Sequence, residues 1–281
     1  MRACSNCLNH HGRKLTRIIC PVSKFIGVFM RPPPRHPYLA HDGVLAFAHR
    51  GGDRVAPENT MAAFHDAVGQ GYRYLETDVH ASKDGVVYAF HDDNLARMVG
   101  EDVAISTLTA AEIDNLKVHG EHHIPTMLEL FETFPEARFN IDAKAWPVVE
   151  PLIALINQTQ TQERICIGSF SDARIKQVVR NVGDVCHSVG PLGAARFRFA
   201  AWGRVPLSYA AGALQFSVSE YGISMVTKAS VAYAHKRGLQ VHVWTINDES
   251  TMHELLDLGV DGLMTDDCAL LKKVLQARNL W

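Results

Sequence analysis

Between Leu45 and Asp92, two histidines and two carboxylates fall on short apolar runs at spacings that suit catalysis. His49 closes one run, Glu76-Thr77-Asp78-Val79 lies within a second, and Asp84-Gly85 precedes His91-Asp92. Two residues apart on a strand, Glu76 and Asp78 share a face, and like charges held that close need a counter-charge. A divalent cation is the simple answer, and Asp142 offers a third oxygen from the next parallel strand. Oxygen donors without cysteine favour Mg²⁺ or Ca²⁺ over zinc. The competing reading is structural: Glu76 and Asp78 would only pair with Arg50, Arg73 or Lys144. Histidine transfers protons near neutral pH, so His49 and His91 form a natural acid and base pair. Most of the fifteen histidines must be ordinary, and His80, His119, His122, His123, His187, His235, His242 and His253 are read as surface, loop or packing residues. Glu58 would orient Arg50 or His49, or else serve as a first-turn helix carboxylate.

Eight β-prone runs would position these groups: Val44–Ala48, Tyr72–Val79, Arg138–Ala143, Arg164–Gly168, Val185–Val189, Ala213–Phe216, Gln240–Thr245 and Gly262–Thr265. Helical patterns separate them, which predicts an α/β fold, a (β/α)₈ TIM barrel with its site at the C-terminal strand ends. Val86–His91 follows Val79 too closely for a crossover helix, so a β-hairpin extension is expected after strand 2. A turn centred between residues 83 and 84 sets His91 opposite Glu76. One centred a residue later sets it opposite Asp78. Pro57 with Asn59 or Thr60 opens a helix that buries Phe64, Ala67 and Val68 and stops at Gly71. Thr109 and Glu112 have capping-box spacing, and Asn247 caps a helix ending at Gly259.

With 28 basic and 30 acidic residues the chain has a formal charge of -2, no field for a nucleic acid. Six cysteines are too dilute for a disulfide scaffold, and Cys166 and Cys186 read as buried thiols. Cys4 and Cys7 with His10 and His11 lack a second ligand pair for a zinc finger. Residues 1–40 read as a disordered extension, or as a mis-annotated one with the true start near Met30. The run from Ile18 to Met30 is interrupted by Lys24 and is too short to span a bilayer. Arg31 to Pro37 is a stiff proline-rich linker. The catalytic domain is then 41–281, with no transmembrane segment and a cytoplasmic location. Arg196-Phe197-Arg198-Phe199 with Trp202 and Arg204 could make peripheral contact with a lipid. The favoured alternative is a crossover helix that packs Phe197 or Trp202 on the barrel.

These motifs, together with Pro57-Glu58-Asn59-Thr60, Asn140-Ile141-Asp142-Ala143-Lys144 and Trp244-Thr245-Ile246-Asn247, resemble the glycerophosphodiester phosphodiesterase family, in the family's order over residues 44 to 266. The resemblance implies hydrolysis of a glycerophosphodiester to sn-glycerol 3-phosphate and an alcohol. It assigns one divalent cation to Glu76, Asp78 and Asp142, although many relatives carry glutamate at the last position. It places Arg50 and Lys144 around phosphate and metal, where cations would meet the equatorial oxygens, and gives Trp244 a place in the pocket wall. A core aromatic is the alternative for Trp244. Attack by water and attack by the neighbouring glycerol hydroxyl remain open, as does which histidine is acid and which base. The rival readings are lysophospholipase D activity on lysophospholipids and a catalytically silent barrel that serves as a binding module.

Overall fold

The computed structural model describes residues 34–203, 208–220 and 223–281. Its strands are β1 (Leu45–Ala48), β2 (Tyr74–Ala81), β3 (Val87–Ala89), β4 (Arg138–Ala143), β5 (Ile165–Gly168), β6 (Cys186–His187), β7 (Ala213–Phe216), β8 (Ser219–Glu220), β9 (Ile223–Ser224), β10 (Gln240–Val243) and β11 (Gly262–Thr265). Eight of these run parallel in the order β6-β5-β4-β2-β1-β11-β10-β7. The seam between β6 and β7 is closed by the parallel Ser188–Ala213 bridge, with Val189 N–H donating to Ala213 C=O at 2.9 Å. This is the expected TIM barrel, and the eight predicted runs overlap its eight strands. The second strand starts two residues later than predicted because Gly71 and Tyr72 bond back to Val68 and Ala67 and finish the preceding helix.

Alternation along each strand sorts side chains between two layers. Leu75, Phe139, Ile141, Ile165, Ile167 and Leu214 face outward into the core beneath the helices. Leu45, Phe47, Tyr74, Cys166, Cys186, Ala213 and Met264 face inward and pack with Tyr38 and Leu39, forming the barrel floor. Glu76 and Asp78 lie two and four residues above Tyr74 on the inward face of β2, so they emerge over an apolar base.

Tyr38 and Leu39 lie in the stretch expected to be disordered, yet they are 0% and 1% exposed. Tyr74 Oη donates to Tyr38 C=O at 2.7 Å, Gln240 Nε2 to Leu39 C=O at 3.1 Å, and Arg138 Nη1 to Ala40 C=O at 2.7 Å. The folded unit therefore takes in the end of the proline-rich stretch: apolar Tyr38 and Leu39 close the floor of the barrel, which no other described segment fills. The expectations for Cys4, Cys7, His10, His11 and the run from Ile18 to Met30 fall outside the described residues.

The helices are α1 (Met61–Gly69), α2 (Ala96–Val99), α3 (Ala110–Ile113), α4 (Met127–Thr133), α5 (Val149–Thr159), α6 (Asp172–Val182), α7 (Pro191–Gly203), α8 (Lys228–His235), α9 (Glu249–Leu258) and α10 (Cys268–Ala277). Thr60 caps α1, and the Thr109–Glu112 capping box opens α3. On α1, Phe64 and Ala67 are buried as expected, but Val68 is 36% exposed. Asn247 does not cap α9; Asp248 does, accepting from Thr251 N–H at 2.7 Å, and Gly259 ends the helix in the left-handed region. β3 pairs antiparallel with β2, and the hairpin carries its own small core of Tyr88, Phe90, Leu95, Met98, Ile105, Ile113, Val118 and Ile124. On α7, Phe197 packs on the barrel while Trp202 faces solvent; Arg204 lies outside the described residues. Among the described residues, no helix is long and apolar enough to cross a membrane.

Candidate active site

Three acids crowd the inner face of adjacent strands. Asp78 and Asp142 are register partners between β2 and β4, and Glu76 sits one inward position below Asp78. All three are buried. Lys144, just past β4, brings Nζ to 3.3 Å from Asp78 Oδ1 and 3.5 Å from Asp142 Oδ2. Arg50 brings Nε to 3.0 Å from Asp78 Oδ2. That N–H is not aimed at the oxygen, so the charges touch without a hydrogen bond and Asp78 Oδ2 stays buried and unbonded, as does Asp142 Oδ1.

The turn after β1 holds Arg50 at φ 55°, a costly conformation for a long side chain. Bonds on both sides of the residue maintain it. Arg50 N–H donates to Glu76 Oε2 at 3.0 Å, and Asn59 N–H donates to Arg50 C=O at 2.8 Å. Gly52 follows at φ 87°, where a Cβ would lie 3.0 Å from Cys268 Sγ and 3.2 Å from Asp266 O. Only glycine lets the chain pass between the turn and β11.

This turn sets His49 against Asp266, Nδ1 to Oδ1 at 2.6 Å, while Nε2 lies 3.8 Å from Glu76 Oε2. Asp266 is held in turn by Asn247 Nδ2, which donates to its Oδ2 at 2.6 Å. Asn247 Oδ1 accepts from Asp266 N–H at 2.9 Å and Thr265 Oγ1 at 3.0 Å. Burial pushes the imidazole's pKa down, and the Glu76 and Asp266 carboxylates more than reverse that, leaving it raised.

His91 has the same arrangement. Its Nδ1 lies 2.6 Å from Asp92 Oδ1, and the ring lines an open cleft of about 610 Å³ together with Lys144, Arg97 and Asp102. The hairpin pairs Val79 with Ala89 and Ala81 with Val87, so the turn centres on Asp84 itself, between the two expected registers. Gly85, at φ 91°, allows this three-residue turn. Extended, the register would set His91 against Thr77. Pairing ends at Ala89, and Phe90 N–H donates to Asp78 C=O at 2.9 Å, leaving His91 next along the chain. Arg97 contacts both Asp92 Oδ2 and Glu58 Oε1 at 2.6 Å, and Glu58 Oε1 also accepts from Arg50 Nη1 at 3.1 Å. A continuous chain of charges therefore runs from His91 to Arg50 and the buried acids. Glu58 orients Arg50, the first of the two partners expected for it. His80, read as an ordinary residue, is buried two residues beyond Asp78 on β2, with Nε2 3.2 Å from His91 O.

Three carboxylates here face two cations, Arg50 and Lys144. Burial, then the Asp78 charge, raises Glu76, and burial raises Asp142 despite Lys144. Arg50 and Lys144 do pair with the acids, as the structural alternative supposed. Among the described residues, no three carboxylates, imidazoles or thiols converge into a ready-made ion cage. The donors nevertheless suit a hard cation: all oxygen, buried, short of one positive charge, and with two oxygens lacking hydrogen-bond partners.

Trp244 follows β10, half-buried, with Phe170 stacked edge-on at 5.9 Å. Phe170 itself is exposed and carries Lys144 Nζ 5.6 Å from its ring centre. Sequence reasoning missed Phe170, Asp266, Asp92 and Arg97 and gave Asn247 another role. Asp266 was within reach, because it directly follows the eighth barrel strand at its C-terminal end, where catalytic groups gather. Phe170 and Arg97 carry no local signal.

Comparison with known proteins matches residues 49–270 to the glycerophosphoryl diester phosphodiesterase family. The chain is 36% identical over 261 residues to the "Probable glycerophosphodiester phosphodiesterase 2" of Mycobacterium tuberculosis, covering 88% of this chain and 97% of that protein. It is 30% identical over 260 residues to the human "Lysophospholipase D GDPD1", covering 78% and 82%. Among solved structures, a glycerophosphodiester phosphodiesterase from Thermotoga maritima superposes with TM-score 0.67 at 24% identity, covering 84% of this chain and 100% of that one. An Oleispira antarctica phosphodiesterase in complex with the product sn-glycerol-3-phosphate superposes with TM-score 0.69 at 25% identity, covering 84% and 97%.

Proposed function

Because the chain belongs to the glycerophosphoryl diester phosphodiesterase family, and is thereby a phosphoric diester hydrolase, we propose that it cleaves glycerophosphodiesters to sn-glycerol 3-phosphate and an alcohol. His49 and His91 are the acid and base. The observation that carries this reading is the matched pair of imidazole–carboxylate contacts, His49 on Asp266 and His91 on Asp92, both 2.6 Å long. Each Nδ1 proton is donated to its carboxylate, which fixes the ring and leaves Nε2 to exchange a proton. One Nε2 takes a proton from the attacking oxygen, and the other protonates the departing alkoxide.

Glu76, Asp78 and Asp142 would hold one divalent cation, Mg²⁺ or Ca²⁺. Support comes from their oxygen donors and from the unbonded Asp78 Oδ2 and Asp142 Oδ1. When bound, the ion polarises a phosphoryl oxygen and offsets the charge that develops there. Arg50, braced by Glu58, and Lys144 supply cations for the remaining phosphoryl oxygens. Trp244, with Phe170 beside it, would form part of the substrate-pocket wall. A small-molecule substrate, glycerol and lipid metabolism and a cytoplasmic location belong to the same reading. Three buried free thiols, Cys166, Cys186 and Cys268, agree with that compartment.

A second reading keeps the chemistry and changes the substrate to a lysophospholipid. Exposed Phe170 beside the Lys144 cation favours it, since it would meet an apolar chain close to the phosphate. The test is an activity matrix of Mg²⁺, Ca²⁺ and Mn²⁺ against glycerophosphocholine and its monoacyl counterpart, with product analysis. Release of sn-glycerol 3-phosphate that both EDTA and His49→Ala abolish is expected. Hydrolysis that survives both treatments overturns the mechanism, and inertness of the metal-loaded protein toward every phosphodiester supports the silent barrel.

A further inference from the structure

Nine large apolar side chains are exposed among the described residues, and six of them either follow the ends of β4 to β7 or lie on α7. Trp146, Phe170, Leu192 and Val218 are 55%, 65%, 68% and 36% exposed. They follow the C-terminal ends of β4, β5, β6 and β7 in turn. Those four strands are consecutive around the barrel, since the Ser188–Ala213 bridge joins β6 to β7. One arc of the mouth therefore presents a large apolar group from every successive loop, while the cleft beside β3 is lined mainly by charged and polar groups, among them Asp92, Asp102, Arg97 and Lys144.

α7 carries the arc onto the flank of the barrel. Phe197 and Ala200 face the core, and Phe199 and Trp202 are 74% and 80% exposed. Positions 192, 199 and 202 are separated by seven and three residues, so they share one stripe of the helix. The helix is apolar on its inner and its outer face, a pattern that belongs to helices covered on both sides.

Charge identifies what covers the outer face. Between Pro191 and Gly203 the helix itself carries exposed Arg196, half-buried Arg198 and no carboxylate, and at its start the neighbouring acid Asp172 accepts from Leu192 N–H at 3.0 Å. Aromatic and leucine side chains beside an exposed arginine, on a helix that carries no acid of its own, match a surface of anionic phosphate above an apolar layer. We propose that this arc and the outer face of α7 dock the protein on a bilayer of anionic phospholipid, with Phe199 and Trp202 entering the interface. The contact does not require that the barrel hydrolyse anything.

The test uses full-length protein without added metal or substrate, co-sedimented with vesicles of phosphatidylcholine alone or mixed with phosphatidylglycerol. Binding to the mixed vesicles at low salt and much weaker binding to the neutral ones is expected. The Phe199→Ser/Trp202→Ser double variant should lower the partition coefficient about ten-fold while keeping its thermal midpoint and its rate on soluble glycerophosphocholine. Arg196→Gln should reduce the preference for anionic vesicles. The proposal is overturned by absence of sedimentation with either vesicle, by equal binding to both, or by parental binding of the double variant. A parent that is dimeric in the ultracentrifuge and becomes monomeric in the double variant would also overturn it, making the patch a subunit interface. Vesicle binding by a protein inert toward phosphodiesters would support docking and count only against the catalytic reading.

Discussion

Asp266 is the most informative residue to change, because its partners fix which way a replacement amide must point. In the parent, His49 Nδ1 donates to Oδ1 and Asn247 Nδ2 donates to Oδ2. Asp266→Asn keeps the shape but supplies only one acceptor. Asn247 is itself pinned, since its Oδ1 accepts from both Asp266 N–H and Thr265 Oγ1, so its Nδ2 keeps pointing at residue 266. The new carbonyl oxygen then faces Asn247, and the new NH₂ faces His49 Nδ1. That forces the imidazole proton onto Nε2, the wrong tautomer for a base. Opposite charges about 4 Å apart interact by about 4 kcal/mol at an effective dielectric near 20. Asp266 is 20% exposed, and screening of roughly half leaves about 2 kcal/mol, or about 30-fold in rate. Asp266→Ala should therefore lower kcat about 30-fold. Asp266→Asn should lower it by about 100-fold or more, since tautomer errors in hydrolases that hold histidine this way reach about 10⁴. KM should change little, because Asp266 lies behind the ring. Adding Asn247→Ala frees the amide to flip and should restore part of the loss, a coupling that additive effects do not produce. Steady-state kinetics on purified variants with unchanged thermal midpoints is the assay. An Asp266→Asn enzyme that keeps a third of parental kcat, together with a double variant no better than the single, refutes this account of His49.

Further outcomes follow from the same geometry. Arg97→Ala should lower kcat about ten-fold, because it releases both Asp92 and Glu58, and Arg97→Lys should not restore activity since a point charge cannot serve both carboxylates; parental activity in the lysine variant would count against this bridge. In metal-free protein, burial pushes Glu76 up to about 8 from 4.5, so the folded state holds a proton that the unfolded state has lost. Stability should therefore fall as pH rises from about 4.5 to about 8, and divalent-ion affinity should rise over the same window with proton release, read by calorimetry in two buffers; a pH-independent affinity would remove Glu76 from the ligand set. Tyr38→Ala should cost about 3–5 kcal/mol in denaturant unfolding, as the ring is fully buried in the barrel floor; a loss under about 1 kcal/mol would mean that residues 34–40 do not hold the floor together.

Much of the fold was legible because the barrel repeats one local rule. Each strand is a short apolar run, each crossover has its helical period, and eight repeats leave one closed arrangement. The β-hairpin was legible for a negative reason, since too few residues separate Val79 from Val86 for a helix. Its register was not, because a shift of half a residue depends on whether Gly85 takes a positive φ, and flanking side chains do not encode that. Asn247 misled by its type: asparagine before a helical stretch reads as a cap, yet Asp248 was nearer the helix and Asn247 was drawn to Asp266. The proline-rich stretch up to Pro37 concealed the floor-forming Tyr38 and Leu39, since composition registers the lack of helix and not what a barrel interior needs to fill it.

Residue types and period-two spacing alone determined that Glu76 and Asp78 share one face of their strand and that His49 and His91 lie just past the ends of apolar runs. That information is local and needs only a strand's alternation. Tertiary structure alone decided that Asp266 holds His49, that Arg97 reaches Glu58 beside Arg50, and that Phe170 stands against Trp244. Those contacts join groups as far apart as 217 residues along the chain. Ring closure of the barrel sets such distances, and no window of sequence contains both ends.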